Sequence, residues 1–240
     1  MKKRFSALLV TGLFLLTMTG LAQATLTTIG TATYGDLDYN LIWDDNNNGN
    51  SVVWLDYSNS PAAWQNQVDW AAGLDPNLTY HLNSGCSVVW NDAAWRLPDT
   101  VDGAWLWGYD GTTTAGYNIT TSEMGHLFYT ELGNLGYYAT DGTNPQTGWG
   151  LKNTGDFNHL IASWYWSGTG YASNPDLAWD FNMTNADQYH SSKGVSSYGL
   201  AVRSGQVSAA PVPEPATMLL LGTGLAGLAV LRRKRKGSCV

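Results

Sequence analysis

Positive charge is scarce in this chain. Between Thr25 and Ala210 there are four cations, Arg96, Lys152, Lys193 and Arg203, against 18 acids, a net charge of −14. Nucleic-acid affinity comes largely from Lys and Arg on phosphates, so no nucleic-acid partner is expected. The same charge argues against an anionic membrane surface as a partner for this body. Charge of either sign is low as well, at 13% of the chain, where an ordinary globular protein has about 25%. Asn, Gly, Ser and Thr supply the polarity, a composition of secreted or surface β-rich domains rather than cytosolic enzymes. Cysteine is nearly missing. Cys86 and Cys239 are the two present, and Cys239 lies beyond a C-terminal basic run that places it across a membrane from Cys86. No intrachain disulfide, structural zinc or redox motif is expected, and Cys86 reads as a small buried hydrophobe. There is no G-x-S-x-G, no H-E-x-x-H and no Cys–His couple. The sequence therefore gives no sign of an enzyme. Aromatics are what the body has in plenty: all 12 Trp and all 13 Tyr fall between Thr25 and Ala210. With 44% apolar residues overall, that stretch can bury a core as one domain without staples.

Both ends read as addresses. Lys2, Lys3 and Arg4, a mostly apolar run from Leu8 to Leu21, and Ala22-Gln23-Ala24 make a secretory signal with cleavage after Ala24. At the other end Val212, Pro213, Glu214 and Pro215 precede an apolar run from Met218 to Leu231, followed by Arg232, Arg233, Lys234, Arg235 and Lys236. The run is 14 residues long, short of the roughly 17–25 of a comfortable span. Counted from Pro215 it becomes a marginal transmembrane helix, held with its basic tail in the cytoplasm and its body outside. Motif, helix and basic tail in this order resemble PEP-CTERM sorting domains. The resemblance implies an exosortase and the secretion machinery as partners, with cutting near Val212-Pro213-Glu214-Pro215. It also implies an inner-membrane-anchored precursor that passes to the cell surface or exopolysaccharide matrix of a Gram-negative bacterium.

Within the body, residues 27–43 alternate weakly and predict one or two strands, and Asp44 to Asn50 predicts a polar loop. Val52-Val53-Trp54-Leu55 is a further strand. Ser60-Pro61 predicts a helix start, with Trp64, Val68 and Ala71 or Ala72 on one face and Gly73 at its end. Thr120 and Glu123 suggest a capping box for a second helix, with Met124, Leu127, Phe128 and Leu132 as its core stripe and Gly133 as its stop. His126 sits beside that stripe, and no second His is placed to join it on a metal. Short strands follow at 164–167, 177–183 and 198–203. Two short helices among mostly antiparallel short strands predict an α+β fold.

Trp95-Arg96-Leu97-Pro98 resembles the "WRLP" signature of Lcl C-terminal-like domains. The aromatic strand Tyr165-Trp166-Ser167, the strand Ala178-Trp179-Asp180-Phe181, and the Val202-Arg203 strand match later signatures of the same family, in order, within residues 90–207. This resemblance implies a C-type-lectin-like domain over residues 25–210. In some relatives that domain binds sulfated glycans and mediates adhesion. The acidic body and the missing paired cysteines depart from that pattern, so the fold carries over better than the ligand.

Several residues are candidates for chemistry. Asp44-Asp45-Asn46-Asn47-Asn48-Gly49 fits D-x-[DN]-x-[DN]-G, the front half of a calcium loop, with Asp44, Asn46 and Asn48 as oxygen donors for Ca²⁺. The twelfth position is Leu55 rather than Glu, and an Asn/Gly turn between strands accounts for the same residues. Arg96 and Arg203 read as half-buried ions paired with carboxylates, or as ligand contacts. Trp105, Trp107, Tyr109, Tyr137, Tyr138 and Tyr171 lie in Gly-rich stretches and offer faces for stacking on sugar. The expectation is a non-enzymatic surface or matrix protein that binds glycan or mediates adhesion. A structural matrix component without a discrete ligand and a polysaccharide-processing enzyme stand as alternatives.

Overall fold

The computed structural model describes residues 26–208. The signal with Ala22 and Ala24, and the sorting segment from Val212 to Lys236 with its expected transmembrane helix, lie outside the described residues. Among the described residues no helix is long and apolar enough to cross a membrane.

The chain opens with a meander of long antiparallel strands, β1 (Leu26–Tyr34), β2 (Leu37–Asn47) and β3 (Asn50–Ala62). Its driving segment is Val52-Val53-Trp54-Leu55, whose side chains are all fully buried. An unbroken apolar run of β-branched and aromatic residues suits a strand covered on both faces. Asp44 to Asn50 is therefore not a loop but the tip of a hairpin. Asn47 pairs with Asn50, and the turn is Asn48-Gly49, with φ of 52° and 85°. Positive φ at both turn residues is the type I′ geometry that Asn-Gly favours. A register shift between Asp44 and Asn47 bulges the strand just before it.

After β3 come α1 (Trp64–Ala72), β4 (Leu78–Leu82) and β5 (Ser87–Trp90), then the two-residue strands β6 (Trp107–Gly108) and β7 (Ala115–Gly116). Helix α2 (Glu123–His126) runs directly into a π-helical turn at Leu127–Glu131. Strands β8 (Trp164–Gly170), β9 (Leu177–Asn182), β10 (Asp187–Ser192) and β11 (Ser197–Ser208) complete the chain. The strands form one 11-stranded sheet in the order β4-β1-β2-β3-β11-β8-β9-β10-β7-β6, with β5 on β11. Pairing is antiparallel except at β11–β8 and β6–β7.

This architecture corrects the expected α+β, C-type-lectin-like fold. The described residues are mostly β, built on one large mixed sheet, with helix among them confined to α1, α2 and short turns. The strands are not uniformly short, since β1, β2, β3 and β11 run 9, 11, 13 and 12 residues. Thr, Asn and Asp alternate with apolar residues in β1 and β2, and that polar face disguised long strands as strand-plus-loop.

The sheet is covered on both sides. Successive strand residues point to opposite faces, so Ile42, Val52, Trp54, Leu200 and Val202 join one core with Met124, Leu127, Phe128 and Leu132. Their neighbours Leu41, Val53, Leu55 and Ala201 join a second core with Ile29, Leu74, Leu78 and Trp95. The apolar face of α1 closes a third cluster, where Trp64 and Val68 pack on Ala71, Leu97, Trp166 and Ala178. The helix begins later than Ser60-Pro61, which lie in the last residues of β3; its cap is Ala63, with no side-chain hydrogen bond. Buried Gln67 fastens it instead, donating from Nε2 to Ser60 O at 2.8 Å and Ser197 O at 2.9 Å. In α2 the cap is Ser122 rather than Thr120, its hydroxyl accepting from Gly125 N at 3.1 Å. Gly133, at φ 62°, ends the segment.

Candidate functional site

Residues 95–98 and 165–167 lie side by side. Trp95 is buried in the second core and donates to Tyr80 Oη at 2.8 Å. Ser167 Oγ and Gly168 N both bond Pro98 O, at 2.8 and 2.9 Å. Leu97, Tyr165, Trp166 and Trp179 are buried, and Trp179 donates to Asp102 at 2.8 Å. Arg96 makes a two-pronged pair with Glu123, at 2.7 and 2.8 Å, with Asp92 and Asp99 each 3.4 Å away. These carboxylates hold the Arg96 guanidinium still more firmly protonated against the opposing effect of burial. Arg203 pairs with Asp75 at 2.6 Å, donates to the carbonyls of Asp92 and Ala93, and lies over the Trp90 ring at 4.7 Å. The signature residues thus form a seam that joins strands, and both arginines are spent on it.

The hairpin tip places Asp44, Asn46 and Asn48 differently from one another. Asp44 is fully buried; its carboxylate accepts from Asn47 Nδ2 at 2.9 Å, Trp54 Nε1 at 3.3 Å and Asn46 N at 3.3 Å. Asn46 Oδ1 accepts from Gly49 N at 3.1 Å, and Asn48 Nδ2 donates to Ser122 O at 3.4 Å. Those bonds belong to an Asn/Gly turn docked on the start of α2. Asp56, one residue past the twelfth loop position, is buried and binds the backbone of Asn158 and His159. Asp44 also faces His126 and Glu131, whose Nε2 and Oε1 are 3.1 Å apart. Burial pushes the Asp44 carboxyl up and the His126 imidazole down, and burial with the nearby Asp44 and Asp45 charges pushes Glu131 up to about 7. Helical spacing at 3.6 residues per turn does not pair positions five apart. The π turn does, and nothing in the local sequence announces it.

The aromatic residues converge more fully. Trp105 packs on Trp179, Tyr189 and His190, with Tyr171 against Trp179 and His190. Beside them, Trp107 meets Tyr117 and Tyr138, Tyr109 stacks on Tyr138 at 6.2 Å and 17°, and Tyr137 bridges Tyr138 to Trp149. All six loop aromatics singled out by sequence thus fall in two ring networks at the β9–β10–β7–β6 end of the sheet. Trp107 and Tyr109 remain 46% and 40% exposed, while Tyr138 packs against both and Tyr117 against Trp107. Asp102 and Asp110 lie on the same segment as these rings, and the Asp141-Gly142 turn abuts Tyr109. Trp149 also lines a depression of about 400 Å³ with Leu151, Lys152 and Thr184.

The ring packing depends on Gly116. Its φ is +104°, and a Cβ there would strike Gly108 O across the β6–β7 pair. Gly116→Ala is expected to cost about 1–3 kcal/mol. Urea unfolding would read the loss, and near-ultraviolet circular dichroism would show Trp107 coming loose.

The PEP-CTERM protein-sorting motif matches residues 211–236 of this chain. No curated protein matches, and no solved structure matches. The lectin-like resemblance of the body finds no support among these comparisons. The sorting motif makes this an exported protein that exosortase processes from a membrane-anchored precursor.

Proposed function

We propose that the body of this exported protein is a non-enzymatic module that binds extracellular polysaccharide through its aromatic face, at the cell surface or in the matrix. The observation that carries this reading is the pair Trp107 and Tyr109, half exposed yet held by ring contacts to Tyr138 and, for Trp107, to Tyr117. Apolar sugar faces stack on such rings, and holding the rings rigid beforehand lowers the entropy cost of binding. The acidic surroundings favour neutral or amine-bearing sugars over sulfated or uronic ones. Arg96 and Arg203, the residues that would greet an anionic glycan, are engaged by carboxylates.

The test uses residues 25–210 and exopolysaccharide purified from the producing bacterium, with calcium and with a chelator. Retention is expected on the polysaccharide. The double variant Trp107→Ala, Tyr109→Ala is expected to weaken it by about tenfold or more, with its melting temperature nearly unchanged because both rings are half exposed. Loss of retention in chelator that Ca²⁺ restores and Zn²⁺ does not would instead bring in calcium at Asp44, Asn46 and Asn48. No retention in either buffer would reject the proposal in favour of a structural matrix component.

A further inference from the structure

We propose that Asp44, His126 and Glu131 form a buried site for a divalent first-row transition metal, with Zn²⁺ as the best-matched ion. One oxygen from each carboxylate and one ring nitrogen lie within 4.8 Å of one another. The Glu131 side chain is 1% exposed and that of His126 11%; Asp44 is fully buried. Glu131 offers Oε1 to His126, while its Oε2 is buried without a hydrogen-bond partner among the described residues. An orphaned carboxylate oxygen in the interior is costly. Among the described residues, no ion pair joins a Lys or Arg to Asp44 or Glu131: Arg96 goes to Glu123, Asp92 and Asp99, and Arg203 to Asp75. Two carboxyl groups around an imidazole, with no protein cation among their ion pairs, are what a bound dication would neutralise.

The donor set selects the ion. Calcium takes six to eight oxygens, whereas this cluster offers a nitrogen and few oxygens. Imidazole with carboxylates suits zinc and its first-row neighbours, and three protein ligands leave a fourth tetrahedral position for water. Zinc bonds of about 2.0–2.2 Å put tetrahedral ligands about 3.4 Å apart, so the wider-spaced ligands would close in while the His126–Glu131 pair, at 3.1 Å, opens slightly on binding. Outer groups that orient the ligands are already in place: Asn47 Nδ2 and Trp54 Nε1 donate to Asp44 Oδ2. A metal here would clamp the β2–β3 hairpin to the α2 segment. The ligand set shares Asp44 with the calcium reading of the loop but replaces Asn46 and Asn48 by His126 and Glu131.

The test uses untagged protein spanning residues 25–210, stripped with chelator and reloaded with Zn²⁺, Mn²⁺ or Ca²⁺. We expect one equivalent of zinc by elemental analysis. Free Zn²⁺ at a hundred times Kd should raise the melting temperature by about 5–10 °C. Co²⁺ should give a visible absorption band characteristic of low coordination, and its paramagnetism should displace the His126 ring resonances. Glu131→Gln, which keeps size and shape, should weaken binding at least about 100-fold. Should that variant fail to fold, the His126 resonances of the wild-type protein still decide the matter. Absence of stoichiometric metal, stabilisation by Ca²⁺ equal to that by Zn²⁺, or His126 resonances that ignore Co²⁺ would each overturn the proposal.

Discussion

Glu123→Ala is expected to destabilise the protein by about 2–3 kcal/mol, because it leaves a half-buried guanidinium with weaker partners. Glu123 accepts both prongs of Arg96, at 2.7 and 2.8 Å, and also the Asp99 backbone N–H at 2.7 Å. Arg96 in turn lies on a backbone bridge to Val202 in β11. One carboxylate thus ties the first turn of α2 to the middle of the sheet. Asp92 and Asp99 stay near Arg96 at 3.4 Å, which keeps the loss toward the lower end for a broken buried pair. Glu123→Gln retains two acceptor contacts and should recover part of the loss. Chemical denaturation of both variants checks this, and a loss below about 1 kcal/mol for Glu123→Ala would show that the pair is bypassed.

The second large effect concerns pH. Asp180 in β9 is 2% exposed with Oδ1 unpartnered. Burial pushes its carboxyl up from 3.8 to about 7, helped by the Asp187 charge and opposed by a hydrogen bond from Ser191. Burial likewise lifts Asp187 to about 7. A carboxyl raised in the folded state binds its proton more tightly there than in the unfolded chain. Its contribution is therefore fully present below about pH 4 and is lost as pH rises through about 7. For Asp180 the swing is on the order of 4 kcal/mol. Asp180→Asn should match the wild type at pH 4 and exceed it in stability at pH 8. Melting curves at stepped pH for the two proteins would show their difference widening between those limits; parallel curves would mean the carboxyl is not buried as a charge at neutral pH.

What was legible in the sequence follows from how far each signal reaches. The stripe Met124, Leu127, Phe128 and Leu132 is a local pattern, and all four side chains do line the first core. The strand texts Val52 to Leu55 and Trp164 to Ser167 are likewise local, and both form strands. Which strands adjoin is not local: β11 inserts between β3 and β8, and no periodicity records that. The hairpin tip was legible in part, since Asn48-Gly49 carries its own turn geometry, but the oxygen-rich text around it fits a calcium loop equally well. The six loop aromatics could be named, though not that they would cluster. The meeting of Asp44 with His126 and Glu131 depends on a bulged strand end, a π turn and the docking of the two, none of which has a signature in the residues themselves.

The placement of β11 bears on how the protein comes into being. The last strand of the body to be synthesised occupies the middle of the sheet, with β3 on one side and β8 on the other. Until it arrives, β3 and β8 offer open edges to any other extended chain. The β1–β2–β3 meander can pair locally, but closure of the whole sheet waits on contacts between distant parts of the chain, which makes it slow. For an exported protein that delay is useful, because a chain unable to finish folding in the cytoplasm remains threadable through a translocation pore.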